Sequence, residues 1–117
     1  MCANKDTAGL GFADDLVTGA RDVFTMLADV TRIKIILALG DHGELAVGDL
    51  ASIVQRNSPA VSQHLAKMRM AKMVTSRQDG TSVFYRLTDE HALALVRESI
   101  RQAEHALTPP GQLPSHH

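Results

Sequence analysis

The chain has a single cysteine, Cys2. An internal disulfide is therefore excluded, and so is any metal site built from several thiolates of one chain. Aromatic residues are almost as scarce: Phe12, Phe24, Phe84 and Tyr85 are all there are. Binding of single-stranded nucleic acid, which relies on aromatic stacking platforms, is disfavoured. The core has to be built from Leu, Ile, Val, Met and Ala. No apolar run approaches the roughly 20 residues of a membrane span, so no membrane partner is expected. The first residues lack a basic segment followed by an apolar one, so no secretory leader is expected and the location read from the sequence is cytoplasmic. No nucleophile-base pair or paired-carboxylate arrangement emerges either. Ser62 and His64 are two positions apart on a helix and face different ways, so the chain does not read as an enzyme.

What remains is 117 residues of unevenly distributed charge. That length suits one domain with a modest core. The formal net charge is −1, but residues 1–55 hold four basic and eight acidic groups, and residues 87–117 hold two and four. Residues 56–86 carry Arg56, Lys67, Arg69, Lys72, Arg77 and Arg86 against Asp79 alone. A positive segment flanked by negative ones is either a solvated face or the footprint of a phosphate-binding surface.

Shape favours the second reading. Residues 1–11 form an expected loose tail, followed by helices at about Ala13–Leu27, Thr31–Leu39 and Val47–Val54. The first carries the apolar stripe Leu16, Val17, Ala20, Phe24 and Leu27. The second is expected to stop at Gly40, with Asp41–Glu44 as a turn and His42 solvated. The third turns Leu50 and Ile53 inward. Ser58 is expected to cap the next helix, with Pro59 in its first turn. There Val61, Leu65 and Met68 share one face, while Ser62, Gln63, Ala66 and Lys67 point elsewhere. His64 falls at the buried edge and suits packing and hydrogen bonding; Met68, Met70 and Met73 read as core or interface filler. A hairpin follows, with Asp79-Gly80 as its turn and Val83, Tyr85 and Leu87 alternating with Phe84 and Arg86. Thr88 or Asp89 caps a long last helix to about His105, and the Pro- and Gly-rich tail 108–117 is expected to be irregular. Short helices, a hairpin and a closing helix make a mainly α winged helix-turn-helix domain over residues 12–107. Such a fold presents one helix to the major groove of duplex DNA. Ser58, Ser62, Gln63 and Lys67 are the expected groove residues, with Arg77, Gln78 and Arg86 on the wing.

Ordered motifs at matching spacing give a resemblance over residues 12–107. They are Met26-Leu27-Ala28-Asp29 with Thr31-Arg32, Glu44-Leu45-Ala46-Val47-Gly48-Asp49-Leu50, and Val61-Ser62-Gln63-His64-Leu65, followed by Asp79-Gly80, Phe84-Tyr85-Arg86-Leu87, and Asp89 with His91. The chain resembles the ArsR/SmtB family of metal-responsive, dimeric winged-helix repressors. The resemblance implies a homodimer, joined through its first and last helices, that holds operator DNA and lets go when a divalent metal ion binds.

The same comparison narrows the metal. Many family members carry two cysteines in the third-helix motif, where this chain has Ala46 and Gly48, so soft thiolate ligands are missing there. The last helix offers Asp89, His91, Glu104 and His105 instead. His91 and His105 lie about 21 Å apart along a helix, within roughly 40° of the same face. They cannot share an ion within one chain, but two such helices packed antiparallel about a two-fold axis would bring them together. The commonest last-helix pattern of the family has a histidine where Gln102 stands here, which argues against its usual tetrahedral zinc site. A smaller branch, the KmtR-like nickel- and cobalt-sensing repressors, is more similar, sharing the runs around Val23, Val61 and Asp79 and the Glu104-His105 pair. In that resemblance His91, Glu104, His105, His116 and His117 are the ligand set. Four imidazoles and a carboxylate suit nickel(II) or cobalt(II) at five or six ligands. The twelve residues from Ala106 to His117 reach up to about 40 Å if extended, far enough to fold back. A zinc-responsive repressor using Asp89, His91, Glu104 and His105, or a DNA-binding dimer with no metal response, are the alternatives.

Overall fold

The computed structural model describes Gly11 and residues 13–108 of the chain. Five helices and a small antiparallel sheet follow in the order α1 (Asp14–Leu27), α2 (Val30–His42), β1 (Leu45–Ala46), α3 (Val47–Val54), α4 (Ser58–Met70), β2 (Val74–Asp79), β3 (Ser82–Leu87) and α5 (His91–Leu107). This is the winged helix-turn-helix architecture expected from the sequence. The expected tails and the ligand candidates His116 and His117 lie outside the described residues.

The core gathers Ile35, Ile36 and Leu39 of α2, Leu50 of α3, Val61, Leu65 and Met68 of α4, Val74 of β2 and Val96 of α5. The i, i+4, i+7 spacing of Val61, Leu65 and Met68 turns one stripe of α4 wholly inward, and all three are fully buried. Each such side chain removed from water contributes about 1.5–3 kcal/mol, which fixes the roll of α4 about its own axis. In α3 the inward residues are Leu50, Ala51 and Val54. Ile53, expected inward, is 46% exposed; Leu50, Ala51 and Val54 set the buried arc of α3, and Ile53 falls outside it on the helix wheel.

The helix ends depart from expectation in instructive ways. Helix α2 runs through Gly40 to His42 and stops at Gly43, whose φ of +81° only glycine tolerates easily. Gly40 serves packing: a Cβ there would come within 2.8 Å of both Leu93 methyls, so its absence lets α5 lie close on α2. The cap of α4 is Asn57, whose side chain accepts the Ala60 amide at 2.9 Å, and Ser58 and Pro59 form the first turn. The cap thus sits one residue earlier than the Ser-Pro signature suggests. At the start of α5 the N-cap position falls to Glu90, whose side chain makes no capping bond, rather than to Thr88 or Asp89; Asp89 Oδ1 instead accepts the His91 amide at 2.9 Å in the turn that leads into the helix.

The sheet order is β1-β3-β2. Strand β1 pairs Leu45 with Tyr85 and Ala46 with Phe84, tying the loop after α2 to the hairpin. The hairpin register pairs Asp79 with Ser82, so its two-residue loop is Gly80-Thr81 rather than Asp79-Gly80. A positive φ is needed only at Gly80, +64°, as in a type II′ turn. Tyr85 and Leu87 pack against the core.

Candidate functional site

Helices α3 and α4 form the helix-turn-helix. Gln55 closes α3 in the left-handed region at φ +60°, which redirects the chain sharply toward Asn57. Arg56 holds this corner down by donating from Nη1 to Thr31 Oγ1 at 2.7 Å. With the apolar stripe of α4 buried, Ser58, Ser62, Gln63 and Lys67 are all exposed. These short donors and acceptors, with one cation, stand on a rigid helix and match what base edges and phosphates require.

The inner flank of α4 is clamped to α2 through His64. Arg32 Nη1 lies 3.2 Å from His64 Nδ1, and Arg32 Nε donates to the Met26 carbonyl at 2.5 Å. A guanidinium only donates, so His64 Nδ1 accepts and the ring proton sits on Nε2. That nitrogen faces Asp29 Oδ2 at 3.9 Å. Asp29 also caps α2 by accepting the Arg32 amide at 2.9 Å. That hydrogen bond, aided by the charge of Arg32, holds its carboxyl below the usual range. The hydrogen-bonding role expected for His64 is thus realised, and Arg32 is the partner no local pattern could name.

The three wing residues have different surroundings. Arg77 is engaged within the protein: Nε and Nη2 donate to the two Glu44 oxygens at 2.8 Å each. Its guanidinium also lies 4.8 Å from the centroid of the Phe84 ring and 3.7 Å from Asp79 Oδ2. The hydrogen bond from Arg77 holds the Glu44 carboxyl below its usual range, and Glu44 in turn raises Arg77. Arg77 braces the wing against the loop before β1. Gln78 shapes the turn by donating to the Gly80 carbonyl at 3.3 Å. Arg86 is exposed opposite Thr75, far from the wing tip, at a cavity of about 660 Å³ between the end of α2 and the start of α5.

The metal candidates lie along α5. His91 and His105 are exposed at opposite ends of the helix, and Glu104 is half-buried. Thr108 Oγ1 donates to the Glu104 carbonyl at 2.5 Å and closes the helix. Among the described residues, no three His, Cys, Asp or Glu side chains gather where they could hold a metal ion. One chain therefore does not bring Asp89, His91, Glu104 and His105 together. The apolar stripe expected on α1 exists but is largely uncovered: Leu16 is 69%, Val17 46% and Phe24 60% exposed, and only Leu27 is buried. Leu95 and Ile100 of α5 are also exposed.

Residues 29–76 match the model of the bacterial regulatory protein arsR family. The chain is 49% identical over 104 residues to the HTH-type transcriptional regulator KmtR of Mycobacterium tuberculosis, which covers 89% of this chain and 77% of that protein. Its fold is similar to the crystal structure of the AntR antimony-specific transcriptional repressor, with a TM-score of 0.75 and 25% identity over 91% of this chain and 97% of the other. A homodimeric winged helix-turn-helix DNA-binding domain from Mycobacterium bovis gives a TM-score of 0.73 at 25% identity, over the whole of both chains. Together with the helix-turn-helix and the wing, these similarities lead to one conclusion: the chain belongs to the arsR family and is a winged-helix transcriptional regulator.

Proposed function

We propose that this regulator is a homodimeric repressor that holds operator DNA and releases it on binding nickel or cobalt, which derepresses metal-efflux genes. The observation that carries this reading is the arrangement of α5. Its two exposed imidazoles share a face but stand about 21 Å apart, beside apolar surface that one chain leaves uncovered. Antiparallel pairing of two α5 helices, with the α1 stripes covering one another, buries that surface. It also sets His91 of one chain beside the partner's His105 twice per dimer. Glu104 adjoins His105, and Asp89 precedes His91, so a carboxylate stands near each end of the helix. This donor set of imidazole and carboxylate without thiolate fits a borderline divalent ion with more than four ligands. His116 and His117 complete the proposed set.

The proposed DNA surface comprises Ser58, Ser62, Gln63 and Lys67 at the major groove, with Arg86 and Gln78 on the wing. Arg77 joins them as the brace that orients the wing. A bound ion would fix the two α5 helices, and through the close α2-α5 contact at Gly40 it would set the spacing of the two α4 helices. Moving them off the ~34 Å repeat of operator half-sites weakens binding.

Fluorescence anisotropy of operator DNA against a panel of divalent ions tests this. Nickel or cobalt is expected to weaken binding by about 5- to 150-fold. His91→Ala is expected to keep metal-free affinity and lose the response. Release driven by zinc alone would favour a tetrahedral site of Asp89, His91, Glu104 and His105, and indifference to every ion would leave a metal-blind DNA-binding dimer.

A further inference from the structure

Helix α4 ends on a strained residue. Lys72 has φ +63°, a conformation that a side chain makes unfavourable. It occupies the position where helices commonly end on glycine: the Met73 amide donates back to the Met68 carbonyl at 2.9 Å, closing the terminus. Glycine would make this turn with less strain. The cation that stands there instead lines a groove of about 430 Å³ with Arg69, Val74, Thr75, Ser76 and Thr88.

This groove is chemically one-sided. It contains two cations and three hydroxyls, and no carboxylate lines it. Arg69 Nη1 donates to Ser76 Oγ at 3.0 Å, which steadies the guanidinium against β2. Among the described residues neither Arg69 nor Lys72 is in an ion pair, whereas Arg21, Arg77 and Arg101 each are. One of its cations also shares a flank of α4 with two residues of the proposed major-groove face. Ser58, Ser62 and Arg69 follow one another at i, i+4 and i+11, within roughly 40° on one flank of α4.

We infer that Arg69, Lys72 and Ser76 hold a backbone phosphate of the operator, between the recognition helix and the wing. The inference rests on the DNA-binding reading above. A phosphate oxyanion matches two cations with hydroxyl donors, and duplex DNA is the source that also engages Ser58 and Ser62 on the same flank. The site positions α4 without reading sequence, because every nucleotide offers the same phosphate. Arg69 also lies in the last turn of α4, where any cation favours the helix end, so Lys72 is the residue that discriminates.

The test is Lys72→Gly, which removes the charge and relieves the backbone at once. Its thermal midpoint is expected to stay level or rise. Arg69 stays in place, so the variant's plot of log affinity against log salt is expected to flatten by at most about 0.9 for each phosphate, hence at most about 1.8 per dimer. At 0.15 M salt each such phosphate weakens binding by at most about fivefold. Operator and random duplex should weaken by the same factor, leaving their ratio unchanged. Arg69→Gln should act in the same direction. An unaltered slope in Lys72→Gly, with the parent chain still binding DNA in a salt-dependent way, overturns the site and leaves the DNA-binding reading standing. A parent chain without salt-dependent duplex binding removes both. Inorganic phosphate, titrated without DNA at constant ionic strength, should leave the thermal midpoint unmoved. Stabilisation of the parent but not of Lys72→Gly would make this a small-anion site and overturn its assignment to DNA.

Discussion

The shared metal site can be tested by mixing two dead proteins. His91 and His105 are fourteen positions apart on one helix, about 21 Å along its axis, whereas metal-to-imidazole bonds are about 2 Å. No rotamer lets both rings of one α5 touch the same ion. If the site takes His91 from one subunit and His105 from the other, His91→Ala and His105→Ala each destroy both sites of a homodimer. In a heterodimer of the two variants both lesions fall in the same site and the other site is intact. Random exchange makes about half of all dimers mixed, so about one quarter of the parent's metal stoichiometry should return. The assay is nickel or cobalt binding by isothermal titration, on each variant alone and after unfolding and refolding them together. The mixed dimers should also regain part of the metal-driven operator release. A mixture that binds no more metal than its separate components would refute the intersubunit geometry, because ligands drawn from one chain cannot be complemented.

The other predictions concern the dimer face, the recognition helix and the wing. Phe24→Ser should leave the isolated fold nearly unaffected, since Phe24 is 60% exposed. If a partner covers that surface, the change costs about 2–3 kcal/mol over the two sites of a dimer, roughly a hundredfold in dissociation constant, readable by analytical ultracentrifugation. Asn57→Ala removes the side-chain acceptor for the Ala60 amide and should destabilise the domain by about 1 kcal/mol in urea unfolding. Glu44 is held below its ordinary value of 4.5 by Arg77. A depressed carboxyl contributes stability above its unfolded pKa and loses it as pH falls through the folded one. The thermal-midpoint gap between the parent chain and Glu44→Gln should therefore be widest above about pH 5 and close in more acidic buffer.

Several features were legible in the chain without its fold. The stripe of Val61, Leu65 and Met68 is set by helical period, and all three are buried. The hairpin was legible from alternation and from a glycine able to take positive φ, although the loop falls one residue later, at Gly80-Thr81. A turn signature names the residues near a reversal, whereas the register also depends on how Tyr85 and Leu87 seat on the core. Strand β1 was invisible because two residues carry no period; it exists only where Leu45 and Ala46 meet Tyr85 and Phe84.

The charged residues divide the same way. Residue types and spacing alone determined a positive segment on a helix and hairpin, one cysteine, and two imidazoles too far apart to share an ion within a chain. Only the tertiary structure decided what each cation does. Arg77 is thirty-three positions from Glu44 and Arg32 thirty-two from His64, so no local pattern could pair them. Arg69 and Lys72 look no different from these in the sequence, yet the fold leaves them beside a groove with no acid. Periodicity reports which face of an element is apolar. The partner of a charge is set by chain reversals that bring distant residues within about 3 Å, and those are products of packing.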